Sequence, residues 1–151
     1  MNSDAQPGGL PAQAGSDNQP VRKREAAVTS AAGSLRAEVV SASGAWSLDG
    51  AAGSSSPDPV TAFLGALGGC LLMSLAIAAR ARKLELGRSS ARVRSNQTGH
   101  VKEIQVELEV QTALDDAALR RLVEVAERGC HIKAMLRTDI AFDLRLHRVA
   151  G

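Results

Sequence analysis

Residues 59–83 read PVTAFLGALGGCLLMSLAIAARARK, and between Asp58 and Arg80 the chain carries no charged side chain. Pro59 suits the first turn of an α-helix, Asp58 can cap the free amides there, and Arg80, Arg82 and Lys83 favour the negative end of the helix dipole. The pattern predicts one helix, roughly 35 Å long at 1.5 Å per residue. A helix apolar nearly all round must be covered on every side. About 20 uncharged residues are also long enough to cross a bilayer, and Gly65 and Gly69 form a small-xxx-small pair. Three glycines, Thr61, Ser74 and Cys70 dilute the hydrophobicity, however, and the rest of the chain reads as soluble α+β structure, so no membrane association is expected. A folded part of about 125 residues has limited surface with which to wrap such a helix. A second copy of the chain is the natural source of cover, which predicts an intimate homodimer.

Upstream of the helix, residues 27–30 and 35–40 read as a hairpin around a Gly33-Ser34 turn, and 45–48 alternate like a third strand. The small residues of 50–57 make a loop. Downstream, Gly87 is placed as the cap that stops the long helix. Residues 91–95 begin a strand, and 101–112 alternate sharply, with Ile104, Val106, Leu108 and Val110 on one face and Glu103, Gln105, Glu107 and Glu109 on the other. Asp115 or Asp116 caps a second helix whose stripe is Leu119, Leu122, Val123 and Ala126, ending at Gly129. A short helix over 130–136 follows. Residues 139–147 close the fold as a strand with Ile140, Phe142, Leu144 and Leu146 inward. Strands interrupted by helices in this order point to an α+β domain over 24–151, with the helix packed on antiparallel sheet. Residues 1–23 show no periodicity and are rich in Gly, Pro, Ala, Gln and Ser, the composition of a disordered leader.

Composition narrows the chemistry. With 151 residues and 44% hydrophobic content the chain fits one domain with a real core. Trp46, Phe63 and Phe142 are the sole aromatic residues, so platforms for stacking bases are lacking, and a net charge of +2 makes no phosphate-binding surface. Nucleic acid is therefore not an expected partner. The first 20 residues lack the basic start and apolar run of a secretory signal, so a cytoplasmic location and free thiols are expected for Cys70 and Cys130. Three scattered histidines and two cysteines match no zinc spacing, and neither a metal nor another cofactor is expected.

On local grounds the two cysteines differ. Cys70 lies roughly 16 Å beyond the helix start, too far for that end of the dipole to favour its thiolate. It would need a cation from elsewhere, and packing as a small hydrophobe is the competing reading. Cys130 follows a glycine stop at a helix start, where free amides favour the thiolate, with His131 and Lys133 beside it.

Two segments, taken together, carry a resemblance. Residues 56–70, SPDPVTAFLGALGGC, resemble the start of the long helix in the OsmC/Ohr family, and 126–132, AERGCHI, with Leu136, are similar to that family's second-cysteine segment. The resemblance covers residues 26–148. It implies an OsmC-like fold, antiparallel sheets packed on a long central helix in an intertwined homodimer, with two cysteines per site at the subunit interface. It further implies that Cys70 attacks a small peroxide, organic or hydrogen peroxide, and becomes a sulfenic acid. Cys130 then condenses with it to a disulfide that a dithiol reductant reopens. An arginine of the N-terminal sheet activates the first cysteine in that family. Arg36 matches by position, with Arg24 next. In the hydroperoxide-resistance branch a glutamate after the proline holds the arginine, whereas here that position is Val60 and the nearest carboxylate is Asp58. Val60 resembles the broader OsmC-like branch and keeps open a second reading, a non-catalytic protein binding a small apolar ligand at the dimer interface.

Overall fold

A computed structural model describes residues 23–151; all of the leader expected over 1–23 except Lys23 lies outside them. The elements follow the expected order: β1 (Ala26–Thr29), β2 (Arg36–Ser41), β3 (Gly44–Asp49), α1 (Pro59–Ala81), β4 (Ser89–Thr98), β5 (His100–Thr112), α2 (Asp116–Gly129), α3 (His131–Ala134) and β6 (Ala141–Ala150). They form two three-stranded sheets, β1-β2-β3 and β4-β5-β6.

The apolar face of β5 is the floor of the core. Ile104, Val106, Leu108 and Val110 are each at most 2% exposed, because alternation aims every second side chain at α1. α1 lies across this floor in two halves. Leu67 and Leu71 pack with Ile104, Val106 and Cys130, while Leu75, Ala78 and Ala79 pack with Leu108, Val110 and the α2 stripe of Leu119, Leu122, Val123 and Ala126. Gly68 sets the closeness of the helix to β4, since a Cβ there would stand 3.1 Å from Val93 Cγ2 and 3.7 Å from Ala91 Cβ.

Antiparallel pairing was expected throughout, and it holds for β1-β2, β2-β3 and β4-β5, but β5 and β6 run parallel. The cause is the connection: α2 and α3 carry the chain back to the starting end of β5 before β6 begins, as a crossover does.

The ends of α1 are held differently. At its start, Asp58 Oδ1 accepts the amides of Val60 at 2.9 Å and Thr61 at 3.1 Å, and its Oδ2 accepts the Thr61 hydroxyl at 2.6 Å. Its finish is not at Gly87. Leu84 N–H reaches Ala79 O at 3.0 Å and Lys83 N–H reaches Arg80 O at 3.1 Å, a Schellman closure in which Lys83 itself takes the left-handed position at φ 55°. Gly87 serves instead to let β5 come near: its N–H meets Gln111 O at 2.7 Å, and a Cβ would lie 2.9 Å from Gln111 Oε1. A lysine in the left-handed region is strained where glycine is not. Lys83→Gly is expected to stabilise the protein by about 0.5–1 kcal/mol, read as a rise in thermal midpoint; a fall would show that the lysine side chain contributes more than its strain costs.

Two apolar surfaces remain open. Only 33% of the most apolar stretch of α1 is buried within one chain, although by length and composition the helix could cross a membrane. Phe63, Met73 and Ile77 are exposed along the side of the helix turned from the core, and Ile77 is 66% exposed. The N-terminal sheet is equally bare: Val39 is buried, while Val28, Val40 and Trp46 are exposed, and the sheet meets the body of the fold chiefly where β3 touches α1.

Candidate functional site

Cys70 and Cys130, 60 positions apart in sequence, share the apolar cluster of Leu67, Leu71, Ile104 and Val106, walled by Ile132, Leu136, Ile140 and Phe142. Both are free thiols. Cys70 sits near the middle of α1, half-buried at the margin between its packed side and the open side bearing Phe63, Met73 and Ile77. Cys130 is fully buried.

The chain places Cys130 by making it end one helix and begin the next. Its N–H closes α2 on Glu127 O at 3.2 Å, its carbonyl accepts Ala134 N–H at 3.1 Å, and its Sγ accepts Lys133 N–H at 3.4 Å as the cap of α3. The first turn of α3 thereby comes to rest against α1 beside Cys70.

This geometry reverses the local ranking of the two thiols. Burial pushes the Cys70 thiol up, but the Ile132 amide, the Cys130 thiol, the His131 amide and the Ser74 hydroxyl all donate toward its sulfur and together outweigh burial, so its pKa lies below the ordinary thiol value. Burial likewise pushes Cys130 up, and there it wins. The Lys133 amide opposes it, yet Cys130 also donates to Cys70 and faces its charge, so its pKa lies above the ordinary value. The expectation that the amides around Cys130 would favour its thiolate is thus corrected: those of Lys133 and Ile132 do so, but burial and the neighbouring Cys70 outweigh them. Ser74 was not singled out from the sequence, although its place one helical turn after Cys70 is a readable signal.

Arg36 is held within its own sheet. Its Nε donates to Glu38 Oε1 at 2.8 Å, its Nη2 to Ser47 Oγ at 2.6 Å, and the Ser47 hydroxyl donates to Glu38 Oε2 at 2.8 Å. The Ser47 hydroxyl and then the Arg36 guanidinium hold the Glu38 carboxyl below its usual range. These three residues share the face of the N-terminal sheet opposite Val39, as the pairing of Glu38 with Ser47 requires. Glu38 could have been read from the sequence, lying two residues from Arg36 on one strand face. Asp58 is engaged as the cap of α1, Val60 is the second residue of that helix, and Arg24 precedes β1 in exposed coil. Within one chain, therefore, the structure brings together Cys70 and Cys130 but not Arg36. Two grooves of about 710 and 770 Å³ lie elsewhere, one along the C-terminal half of α1 and the other between α2 and β6, and neither is lined by the cysteines. Among the described residues no group of His, Cys, Asp and Glu is arranged to hold a metal ion.

A family profile described as OsmC-like protein matches residues 52–145. Solved structures share the fold across nearly their whole length. An OsmC-like protein from Mycoplasma pneumoniae is 13% identical, with a TM-score of 0.73 over 85% of this chain and 97% of that one. An organic hydroperoxide resistance protein OsmC from Legionella pneumophila is 18% identical, with a TM-score of 0.65 over 85% and 99%. The organic hydroperoxide resistance protein OhrB of Bacillus subtilis is 21% identical, with a TM-score of 0.61 over 85% and 98%. At such identities the likeness is one of fold. No curated protein sequence matches significantly.

Proposed function

The chain belongs to the OsmC-like protein family, and on that premise we propose that it is a thiol peroxidase working through Cys70 and Cys130. The observation that carries this reading is the meeting of two free thiols in one apolar cluster, Cys70 half-buried and Cys130 fully buried, with the acidity of the first raised and that of the second lowered by their surroundings. The Cys70 thiolate attacks the terminal oxygen of a hydroperoxide. An S–O bond forms as the O–O bond breaks, and the alcohol leaves with a proton, yielding a sulfenic acid. The Cys130 thiol then displaces that hydroxyl, releasing water and forming the disulfide. A small dithiol reductant restores both thiols, itself becoming a disulfide. The apolar walls favour organic hydroperoxides. The names of the Legionella and Bacillus proteins, organic hydroperoxide resistance proteins, agree with that substrate class.

The same reading takes the protein as a homodimer. The open side of α1 begins at the margin where Cys70 sits, so a partner covering Phe63, Met73 and Ile77 would also roof the thiol and exclude water. Arg36, already oriented by Glu38 and Ser47, is the cation available to a thiolate across such an interface. The donors around Cys70 act within one chain, so Arg36 adds to activation rather than creating it.

Mixing the reduced protein with one equivalent of cumene hydroperoxide and counting thiols is the direct test. Loss of both within seconds, with one intramolecular disulfide per chain, is expected. Thiols that stay reduced beside an oxidising control would sink the proposal and favour the second reading, an apolar-ligand protein, which the Val60 at the start of α1 supports.

A further inference from the structure

α3 has only four residues, too few to hold a helical turn without outside contacts. Three contacts fix it. Cys130 Sγ accepts the Lys133 amide, the Lys133 ammonium pairs with Glu127 on the last turn of α2, and that ammonium stands 4.5 Å above the centre of the Phe142 ring on β6. The pair is more sheltered than the other ion pairs among the described residues, its side chains being 30% and 23% exposed, whereas the rest lie largely in solvent. Shelter and a cation–π contact make such a pair count for more than an open surface bridge. Phe142 and Ile132 in turn line the apolar cluster that holds both cysteines.

We propose that Lys133 is a positioning residue: clamped between Glu127 and Phe142, it holds the first turn of α3 against Cys70. This rests on the reading of Cys70 as the attacking thiol but concerns its activation, not peroxide turnover. Without the clamp, α3 frays and the amides of His131 and Ile132 move away from the sulfur, while burial of Cys70 persists. The thiolate then loses its donors and keeps its penalty. The ionisable side chains that these elements bring alongside the thiol pair are His131 and Lys133 of α3 and Glu127 of α2. Lys133 does not itself touch either sulfur through its ammonium, so its effect is through backbone placement.

The test is alkylation of the reduced full chain by iodoacetamide across pH, with modification at each cysteine followed by mass spectrometry. In the wild type, Cys70 is expected to react with a midpoint below that of an ordinary thiol. Lys133→Met, which keeps the apolar stem, should raise that midpoint and slow Cys70 alkylation at neutral pH about tenfold. Glu127→Gln should shift it in the same direction, and Lys133→Arg, which can still pair and stack, should restore it. A structural role unconnected with the thiols would lower thermal stability and leave the midpoint where it was. An unmoved Cys70 midpoint in both Lys133→Met and Glu127→Gln overturns the proposal, and so does a wild-type midpoint that is not lowered. Because no peroxide enters this experiment, failure of the peroxidase reading leaves its outcome distinguishable.

Discussion

Cys70→Ser protein is expected to lose peroxide-driven disulfide formation, with second-order consumption of cumene hydroperoxide falling by at least about three orders of magnitude. Serine is nearly isosteric and retains the packing against Leu67, Leu71 and Ile132, so the fold should survive. What vanishes is a nucleophile that can ionise near neutral pH: the donors from Ile132, Cys130, His131 and Ser74 that favour a thiolate cannot bring an alcohol within range. Cys130→Ser should behave differently. Cys70 would still consume one equivalent and stop at the sulfenic acid, trapped by dimedone as a single adduct. If instead Cys130→Ser were inert and Cys70→Ser trapped an adduct, the roles would be exchanged. If Cys70→Ser handled peroxide as wild type does, the chemistry would lie elsewhere and the apolar-ligand reading would gain.

Ile77→Asp should convert the proposed homodimer to a monomer near 15.7 kDa by sedimentation. Ile77 is 66% exposed in one chain. For a lone monomer, therefore, this substitution places a carboxylate in water and costs little. Against a partner's apolar surface the same carboxylate is buried without a mate, a penalty of several kcal/mol and on the order of a thousandfold in the dimer constant. A consequence for the site follows, because the side of α1 that carries Ile77 borders Cys70. Loss of the partner should admit water to the thiol and slow its reaction with bulky hydroperoxides more than with hydrogen peroxide. An unchanged sedimentation coefficient in the mutant, or a monomeric wild type, would rule out the covering role assigned to a second chain.

What could be read in advance follows from how local each cause is. β5 was legible because alternation is a property of neighbouring residues and needs only one buried face to express it. α1 was legible from Asp58 and Pro59 at one end, where the capping atoms lie within three residues of the amides they meet. Its other end was not. Gly87 is the residue type expected at a helix stop, yet the chain turned four residues earlier at Lys83, and Gly87 was needed for its closeness to Gln111, a contact across 24 positions. The direction of β6 was hidden for a similar reason, since alternation is the same for parallel and antiparallel neighbours and only the path through α2 and α3 decides between them.

The sequence by itself determined the α+β order of elements, the apolar character of α1 and the identity of the two cysteines. Each of these is written in residue type and short-range spacing. Only the tertiary structure decided the direction in which each thiol's acidity is displaced. A thiol's acidity depends on its burial and on the donors within a few ångströms of its sulfur. Those reaching Cys70 come mainly from residues 130–132, which the fold carries to α1. Tertiary structure likewise supplied Glu38 and Ser47 as the partners of Arg36, and it left one side of α1 bare. The bare side of α1 and the half-buried thiol share that boundary.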